Sequence, residues 1–316
     1  MTILRPIASR GAAAIVVLLL VSFLVFSLLS LAPGSMETTL LGSRPASPEL
    51  IASIRSQYHL DEPFPLRYLR WLGDAAQLDL GRSVVSSQPV SAIVVERMSI
   101  SAELALMAFT FAAVVGAPAG LWAAARQGRT ADRGITIAAV LGMSAPPFAV
   151  GTFLIYVFGV RWSVLPVYGP GGSGADRLEH LLLPAAALAI GLAALVVRQT
   201  RAAALGVLDQ DYLTFARARG LSPARMSAYV LRNIALPVLS SLGLVLIVAL
   251  PGAVLVEVVF SLPGLGSAMV EAVGAKDVPV VQGLALFSAL YVVVVNAGVD
   301  LLSLVADPRL RTGANQ

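Results

Sequence analysis

A polar, arginine-rich stretch separates two long apolar runs in the C-terminal half of the chain: residues 211–222 read DYLTFARARGLS, and residues 232–237 read RNIALP. The first eight residues of this stretch can form two helical turns. Gly220 stands where a helix would end with a positive φ angle, which glycine adopts without steric cost. Ser222 and the proline after it are typical of the start of a new helix. The stretch therefore predicts a short helix, a tight turn and a second helix.

The first predicted helix has one face suited to contact with another protein. Tyr212, Phe215 and Ala216 share this face because they are three or four residues apart. The aromatic side chains supply bulk to fill a groove, while Ala216 and Ala218 allow close approach. The residues leave open whether this face fits a socket on a soluble partner or belongs to an ordinary loop between helices.

The composition indicates an integral membrane protein. The chain has 316 residues, of which 57% are hydrophobic and 13% charged, whereas soluble domains carry about 25% charged residues. There is no cysteine, so disulfide bonds, cysteine-ligated metals and thiol catalysis are excluded. The net charge of +4 comes from arginines that flank apolar runs, which indicates membrane topology rather than nucleic-acid binding.

The chain lacks the residues that bind the phosphates of ATP. A P-loop needs a Gly-Lys-Ser/Thr sequence, and the only lysine, Lys276, lies in GAKD instead. Any ATP, with its magnesium ion, must therefore be bound and hydrolysed by another subunit. The two histidines, His59 and His180, have no neighbours at metal-ligand spacing, so neither a metal nor a cofactor is expected on this chain.

Six apolar runs are long enough to cross a bilayer, which takes about 20 helical residues. Thirteen of the 22 basic residues lie in the segments that an inside N terminus would place in the cytoplasm. The sequence thus predicts an all-α membrane protein with both termini inside and a cytoplasmic hairpin between the fourth and fifth spans. The first run exceeds the about 7–15 apolar residues of a signal peptide, so it is expected to remain as an anchor. The runs are residues 11–32, 101–124, 135–158, 181–200, 236–258 and 280–305.

The long segment after the first span has helical signals of its own. The SPE sequence at 47–49 is typical of a helix start, and Tyr68 with Trp71 predicts a second short helix at the membrane interface. Two interpretations stay open, a surface for a substrate-delivery protein or a packed loop over the pore mouth, and the second is favoured. The predicted organisation is an anchor (1–32), an external loop subdomain (33–100), a five-helix core (101–306) with a loop at 209–237, and a cytoplasmic tail (307–316).

Two carboxylates lie in or beside the last two predicted spans. A charge near the middle of a bilayer costs about 2.5–3.5 kcal/mol. Asp300 and Glu257 therefore have two interpretations. Each is either a functional group, as a gate or as a link to the arginines of the hairpin, or one member of a neutralised structural pair. The second interpretation is favoured, and it extends to Glu103. Gly116 and Gly120 are interpreted as small residues that let two membrane helices pack closely.

Short motifs occur in order along almost the whole chain. They are LAPG (31–34), LDEPFPL (60–66), DLGRS (79–83), SAPPF (144–148), LPVYG (165–169), LLP (182–184), EVVFSLPGLG (257–266), DVPVVQG (277–283) and DPRLR (307–311). Together with the hairpin, they make the sequence resemble ABC-importer permeases of the oligopeptide and dipeptide (DppB/OppB-like) branch, a family of binding-protein-dependent transport inner-membrane components.

The resemblance implies a role for the hairpin. It would be the coupling loop that engages the ATPase, with Gly220 at its hallmark glycine and Leu236–Pro237 at its closing pair. The residues carried over to this loop are Asp211, Tyr212, Phe215, Ala216, Arg217, Ala218, Gly220, Leu221 and Pro237.

The resemblance also implies partners and a location. It implies a second homologous permease, two ABC ATPase subunits that hold ATP and magnesium, and an external substrate-binding lipoprotein. The complex would lie in the plasma membrane of a prokaryote and move short peptides, while relatives of the branch also carry nickel chelates or sugars.

Two other classes of function compete with a permease subunit. An autonomous secondary transporter or channel would need ionisable residues near the midplane and paired broken helices, but spans two to four are poor in charges. An intramembrane enzyme would need a Ser/His or paired-Asp constellation at membrane depth, which the two external histidines and the solitary Asp300 do not provide. The permease subunit, without a catalytic residue of its own, is the leading hypothesis.

Overall fold

The computed structural model describes residues 4–30, 47–49, 52, 56 and 61–306. No β-strand forms among these residues, apart from one isolated bridge between two loop positions. The prediction of an all-α protein is thus confirmed for the described part of the chain. The predicted tail, the LAPG motif and most of the first predicted external helix lie outside it.

Long helices dominate the described residues. Five of them, α1, α3, α6, α8 and α11 below, are long and apolar enough to cross a membrane, and a bent pair makes a sixth if it counts as one span. This number agrees with the predicted six spans. The elements are α1 (Leu4–Ser30), α2 (Phe64–Ala76), α3 (Val90–Ala125), α4 (Thr130–Ser144), α5 (Pro147–Leu154), a π-helical segment (Ile155–Arg161), α6 (Ala175–Leu208), α7 (Asp211–Ala218), α8 (Pro223–Gly252), α9 (Val254–Val259), α10 (Leu265–Gly274) and α11 (Val278–Ala306).

The third predicted span, residues 135–158, is not one straight helix. α4 ends at Ser144, and the helical segment that begins at Pro147 is bent away from it by 101°. Pro146 and Pro147 explain the break, because proline lacks an N–H group and disfavours a helical backbone in the residue before it. Ala145 is accordingly extended, with φ −81° and ψ 120°. The apolar composition of residues 135–158 predicts a span, but it does not predict the bend within it.

The other spans differ from the predicted runs mainly at their ends. α8 starts at Pro223 rather than at residue 236, so the second arm of the hairpin and the fifth span are one helix of 30 residues. α8 ends at Gly252, and Glu257 lies in the short helix α9 instead of in the fifth span. Backbone hydrogen bonds form in polar turns as well as in apolar ones, so a helix continues beyond the apolar run.

The chain divides into two compact units. The first comprises residues 3–100 and 263–294, and the second comprises residues 101–262 and 295–316. α1, α2 and α10 belong to the first unit, and α4 to α9 belong to the second. Two of the three boundaries fall within α3 and α11, and the third lies between α9 and α10.

In the first unit, a buried carboxylate fixes a loop. Asp277, 3% exposed, accepts a hydrogen bond from the Ser83 hydroxyl at 2.5 Å and another from the Val84 N–H at 3.2 Å. Because a buried charge is costly unless it is fully hydrogen-bonded, these bonds hold the loop before α3 against the start of α11. In the same unit, aromatic side chains of α2 pack on α1.

In the second unit, α6 is the most buried of the membrane helices. α4 packs on it through Ala139, Ala194 and Val197. Gly116 and Gly120 of α3 lie so close to α6 that neither position has room for a Cβ atom. The close packing predicted for these glycines is therefore present.

Candidate functional site in the 209–237 hairpin

The turn between α7 and α8 closes as the sequence predicts. Gly220 has a φ angle of +74°, and the Leu221 N–H donates to the carbonyl oxygen of Ala216 across 3.2 Å. This bond satisfies a carbonyl group that would otherwise lack a partner at the end of the helix. Ser222 follows in an extended conformation, without a capping bond from its hydroxyl, and α8 begins at the next residue.

Leu213 anchors α7 to three other helices. Its side chain is fully buried in a cluster with Ala204 of α6 and with Val230 and Ile234 of α8. Ala124, at the end of α3, completes the cluster. Full burial of a leucine side chain contributes about 1.5–3 kcal/mol, so α7 is held in a defined position next to the start of α8.

Leu213 was not among the residues predicted for this site. Those residues were chosen around the aromatic face of the helix, and Leu213 is not on the face that Tyr212 and Phe215 share. Its signal is that Leu213 is the only large aliphatic residue in α7. In a short amphipathic helix, such a residue is expected on the buried side.

Two aromatic side chains of α7 project away from this cluster. Tyr212 is 44% exposed and Phe215 is 70% exposed. Asp211 and Ala218 are also exposed, and Ala216 is half-buried. A helix that buries one leucine and leaves two aromatic rings outside presents an apolar surface, which in proteins commonly marks a contact site. The shared face predicted for Tyr212 and Phe215 is thus present on the surface.

The remaining predicted loop residues are distributed around the turn. Leu221 is half-buried within the turn itself, while Pro237 lies inside α8 and is exposed. The side chain of Arg217 lies outside the described part of the structure. The structure therefore places Tyr212 and Phe215 on α7 and Gly220 in the turn that follows it, with Pro237 further along the second arm of the hairpin.

An ion pair lies next to the Leu213 cluster. Arg201 of α6 donates from Nε and Nη2 to the two carboxylate oxygens of Asp132 in α4, at 2.6 and 2.8 Å. The Asp132 side chain is 5% exposed and also accepts the Gly128 N–H at 2.9 Å. Because Arg201 is one helical turn before Ala204, the pair fixes the start of α4 to α6 beside the docked helix α7. From the sequence, Arg201 is one of the arginines that flank apolar runs, and membrane topology alone accounts for it.

Asp132→Ala is expected to lower the thermal stability of the protein in detergent. The substitution removes the acceptor of two guanidinium bonds and one backbone bond, and it leaves the Arg201 charge without compensation. The double variant Asp132→Ala with Arg201→Ala should recover part of the loss, because neither charge then remains alone. The midpoint of heat-induced aggregation measures both effects. Additive losses in the double variant would contradict a direct interaction between the two side chains.

Two of the other predicted polar residues, Glu257 and Glu103, have partners within the second unit. Glu257 is 1% exposed, and its Oε1 accepts a hydrogen bond from the Ser101 hydroxyl at 2.6 Å. Glu103 pairs with Arg177 at 3.2 Å. Asp300 is half-buried in α11. No group of three side chains able to hold a metal ion occurs within the described residues.

A cavity of about 220 Å³ lies at the bend between α4 and α5. Its walls include Met143 and Pro147 on either side of the bend, Leu188 of α6, and Val248 with Gly252 of α8. α8 therefore has one end in the hairpin and the other in the wall of this cavity, about 45 Å apart at 1.5 Å per residue.

Comparison with protein families gives two matches. Residues 116–312 match the model described as binding-protein-dependent transport system inner membrane component, and residues 3–105 match the N-terminal model of such membrane components. The first match alone covers more than half of the chain.

The chain is also similar to individual proteins over nearly its whole length. It is 38% identical to a putative peptide transport system permease protein of Brucella abortus, over 96% of this chain and 98% of that protein. It is 36% identical to the di/tripeptide transport system permease protein DppB of Pseudomonas aeruginosa and 35% identical to the dipeptide transport system permease protein DppB of Escherichia coli. Each of these two matches covers 92% of this chain and 94% of the relative.

Among solved structures, the chain resembles one from inward-facing crystals of the MetNI methionine ABC transporter. The TM-score is 0.56 at 17% identity, and the match covers 68% of this chain and 96% of the other. At this identity the likeness establishes a shared membrane-protein fold.

Proposed function

The chain belongs to the family of binding-protein-dependent transport system inner membrane components, and from that premise we propose that the importer it serves carries short peptides. The names of the relatives support this substrate class, since peptide, di/tripeptide and dipeptide permeases each match more than nine tenths of the chain. This chain is a permease subunit of the inner membrane, and ATP is hydrolysed on separate subunits.

The proposed partners are those of a complete importer. A second homologous permease would share the translocation pathway, two ABC ATPases would bind inside, and an external binding protein would deliver the peptide. The N-in, C-in orientation belongs to this proposal, and it is supported by the density of arginines in the segments assigned to the cytoplasm.

The proposed contact with the ATPase is the exposed end of the hairpin. Tyr212 and Phe215 project from a helix that Leu213 holds in place, and aromatic residues are enriched among those that dominate binding energy at protein interfaces. Their neighbours Ala216 and Ala218 leave room for a partner to approach. Asp211, Arg217 and Leu221 complete this surface in the sequence-based assignment.

Movement of the ATPase would reach the membrane through α8. The Leu213 cluster ties α7 to the first turns of α8, and Val248 and Gly252 near its other end line the cavity at the α4–α5 bend. A helix is stiff over this length, so a displacement of α7 would change the cavity wall rather than dissipate in a loop. Pro237, which removes one backbone bond of α8, would set a fixed angle between the two parts of the helix, which move together.

Glu257 and Asp300 have supporting roles in this proposal. Glu257 would be a structural group, because it is buried and hydrogen-bonded to Ser101. Asp300, half-buried in α11, would serve either as a gate or as part of a neutralised pair. Uptake by the Asp300→Asn variant distinguishes these two roles. If Asp300 is a gate that depends on its charge, the variant should lose uptake.

Gly220→Asp is expected to insert normally but to uncouple ATP hydrolysis from uptake. A side chain at this position meets open space, and aspartate is one of the residues that tolerates a positive φ angle, so the fold should persist. The new carboxylate would lie on the proposed ATPase contact beside Phe215. Uptake and ATPase activity, measured together in reconstituted vesicles, test this expectation.

A matched pair of alanine substitutions, Gly220→Ala and Gly128→Ala, is the control for the backbone cost of that variant. Gly128 has a φ angle of +76° and open space around its Cβ position, as Gly220 does with +74°. Gly220→Ala and Gly128→Ala therefore carry the same backbone cost, about 1–2 kcal/mol, at two different places. Unchanged uptake in Gly220→Asp would rule out the proposed role of the turn.

The proposed function as a whole is tested by purification and transport. The tagged chain, extracted from native membranes in mild detergent, should bring with it a P-loop ATPase, a second six-span permease and an external lipoprotein. A strain that lacks the chain should lose uptake of labelled di- and tetrapeptides and regain it with the gene. A chain that purifies only with itself would contradict the importer, and restored uptake of sugars or nickel chelates alone would contradict the peptide substrate.

A further inference from the structure

α2 packs on α1 around Phe26. The ring of Phe26 in α1 lies 5.4 Å from that of Phe64, 5.6 Å from that of Tyr68 and 5.6 Å from that of Trp71. These three residues of α2 are spread over eight positions, or about 10 Å of helix, and all of them contact this one residue of α1. Aromatic packing therefore holds α2 against α1 at Phe26.

The contact at Phe26 is inside the apolar part of α1. The spanning segment of α1 includes at least Arg10 to Leu28, so Phe26 and Phe23, which both contact α2, are at least about 3 Å and about 7–8 Å from its C-terminal end. The Tyr68 hydroxyl goes deeper still, because it lies 2.8 Å from the Ser22 hydroxyl and 3.3 Å from the Leu19 carbonyl oxygen. Helices that lie in a membrane interface are buried by about 5–10 Å, which matches this depth.

α2 has a charged face and a leucine face. Arg67, Arg70 and Asp74 share one face, and Leu69 and Leu72 share the other, by their spacing of three and four residues. Tyr68 borders the leucine face and reaches toward the middle of α1, whereas the Arg67 guanidinium stays over the Phe26 ring at 5.9 Å. The leucine face is thus directed toward the membrane interior and the charged face toward its surface.

The leucine face is partly uncovered in the structure. Leu69 is 61% exposed and Leu72 is half-buried, while Leu66, three residues before Leu69, is 43% exposed. α1 likewise exposes Leu20 and Leu24, at 63% and 56%. At the depth of Phe23 and Phe26, the exposed apolar surface of α2 is continuous with the lipid-facing surface of α1. A soluble delivery protein does not enter the membrane to that depth.

We propose that α2 is embedded in the lipid leaflet at the C-terminal end of α1, with Leu66 and Leu69 against phospholipid acyl chains and with Arg67 and Arg70 at the level of the lipid phosphates. In the proposed orientation this is the outer leaflet. The charges suit that position, since arginine binds phosphate well and long basic side chains reach from an apolar layer to the headgroups. Arg70 also pairs with Glu62 at 3.1 Å at the start of the helix.

The absence of cysteine from the sequence allows one nitroxide label to be placed at a chosen position. Leu69→Cys, Asp74→Cys and Val85→Cys are labelled in the full chain and reconstituted into vesicles of phosphatidylethanolamine and phosphatidylglycerol. Asp74 is on the charged face of the same helix, and Val85, 62% exposed, is in the loop before α3. Collision with oxygen, which concentrates in lipid, is compared with collision with a water-soluble nickel chelate.

The label at Leu69 is expected to collide several-fold more with oxygen than with the chelate, and the labels at Asp74 and Val85 should show the reverse. Equal chelate access at Leu69 and Val85 would overturn the proposal, because the leucine face would then be in water. Protection of Leu69 from both reagents would also overturn it, because a protein would then cover that face. If Leu69→Cys does not fold, Leu66→Cys on the same side of the helix takes its place.

Discussion

A chain with both Tyr212→Ala and Phe215→Ala is expected to reach the membrane in normal amount and to lose ATP-driven uptake by at least about tenfold. The two rings are the large apolar side chains that α7 holds outside its own core. Each aromatic residue at the centre of an interface commonly contributes about 2 kcal/mol or more to binding. Removal of both should therefore weaken the contact with the ATPase enough to separate the subunits.

The same double substitution should leave the hairpin folded. Leu213 supplies the buried contact of α7, and Gly220 closes the turn by backbone bonds alone, so neither depends on the aromatic rings. Thr214→Ala is the matched control, because Thr214 is exposed on the same helix but is not aromatic. Its uptake and its yield of co-purified ATPase should equal those of the unmodified chain.

Two measurements decide this prediction. Co-purification of the ATPase reports the contact, and peptide uptake in reconstituted vesicles reports transport. If the double variant retained both, the contact with the ATPase would lie elsewhere on the chain. If it lost uptake but retained the ATPase, the rings would act after binding, in the transmission of movement to α8.

The hairpin could be predicted from sequence because its signals are local. Gly220 needs a positive φ angle, and the Ser-Pro pair that follows starts a helix; both effects act within a few residues. The identity of the docked residue was harder to infer. Leu213 is buried only because Ala204, Val230 and Ile234 meet around it, and a single sequence does not reveal which helices converge.

The bend in the third span illustrates a different limit. The SAPPF motif contributes to the family resemblance, whereas the span at residues 135–158 was predicted from its apolar residues alone. The physical signal was nevertheless present, since Pro146 and Pro147 remove two donors and constrain Ala145. Combining proline positions with hydropathy would have predicted two helices and a bend, although not the cavity that forms beside it.

Polar pairs between residues far apart in sequence were the least predictable part of the structure. Arg201 and Asp132 are 69 residues apart in sequence, and Ser83 and Asp277 are 194 apart. Each member has an adequate local explanation on its own, such as membrane topology for Arg201. Only the packing of α4 on α6 brings the first pair together, so its role in holding the start of α4 could not be inferred before the helices were placed.

Gly120→Leu is expected to cause the largest loss of stability of any single substitution considered for the membrane helices. A Cβ atom at this position would lie 2.6 Å from the carbonyl oxygen of Val197 and 2.8 Å from the Cβ of Thr200. The first obstacle is backbone, which cannot rotate away, so α3 and α6 would have to separate. Overpacking of this kind typically costs about 1–3 kcal/mol, and the longer leucine should exceed the cost of Gly120→Ala.

The matched control is Gly134→Ala, at a helical glycine of α4 with nothing within 4 Å of its Cβ position. There the substitution should be neutral or stabilising by up to about 1 kcal/mol, because alanine favours a helix more than glycine does. The midpoint of heat-induced aggregation in detergent should therefore fall in the order Gly134→Ala, Gly120→Ala, Gly120→Leu. Equal midpoints for the two alanine variants would show that α3 and α6 tolerate a wider separation than their contact at Gly120 implies. In that case the two glycines would act as a sliding contact between the helices rather than as a fixed one.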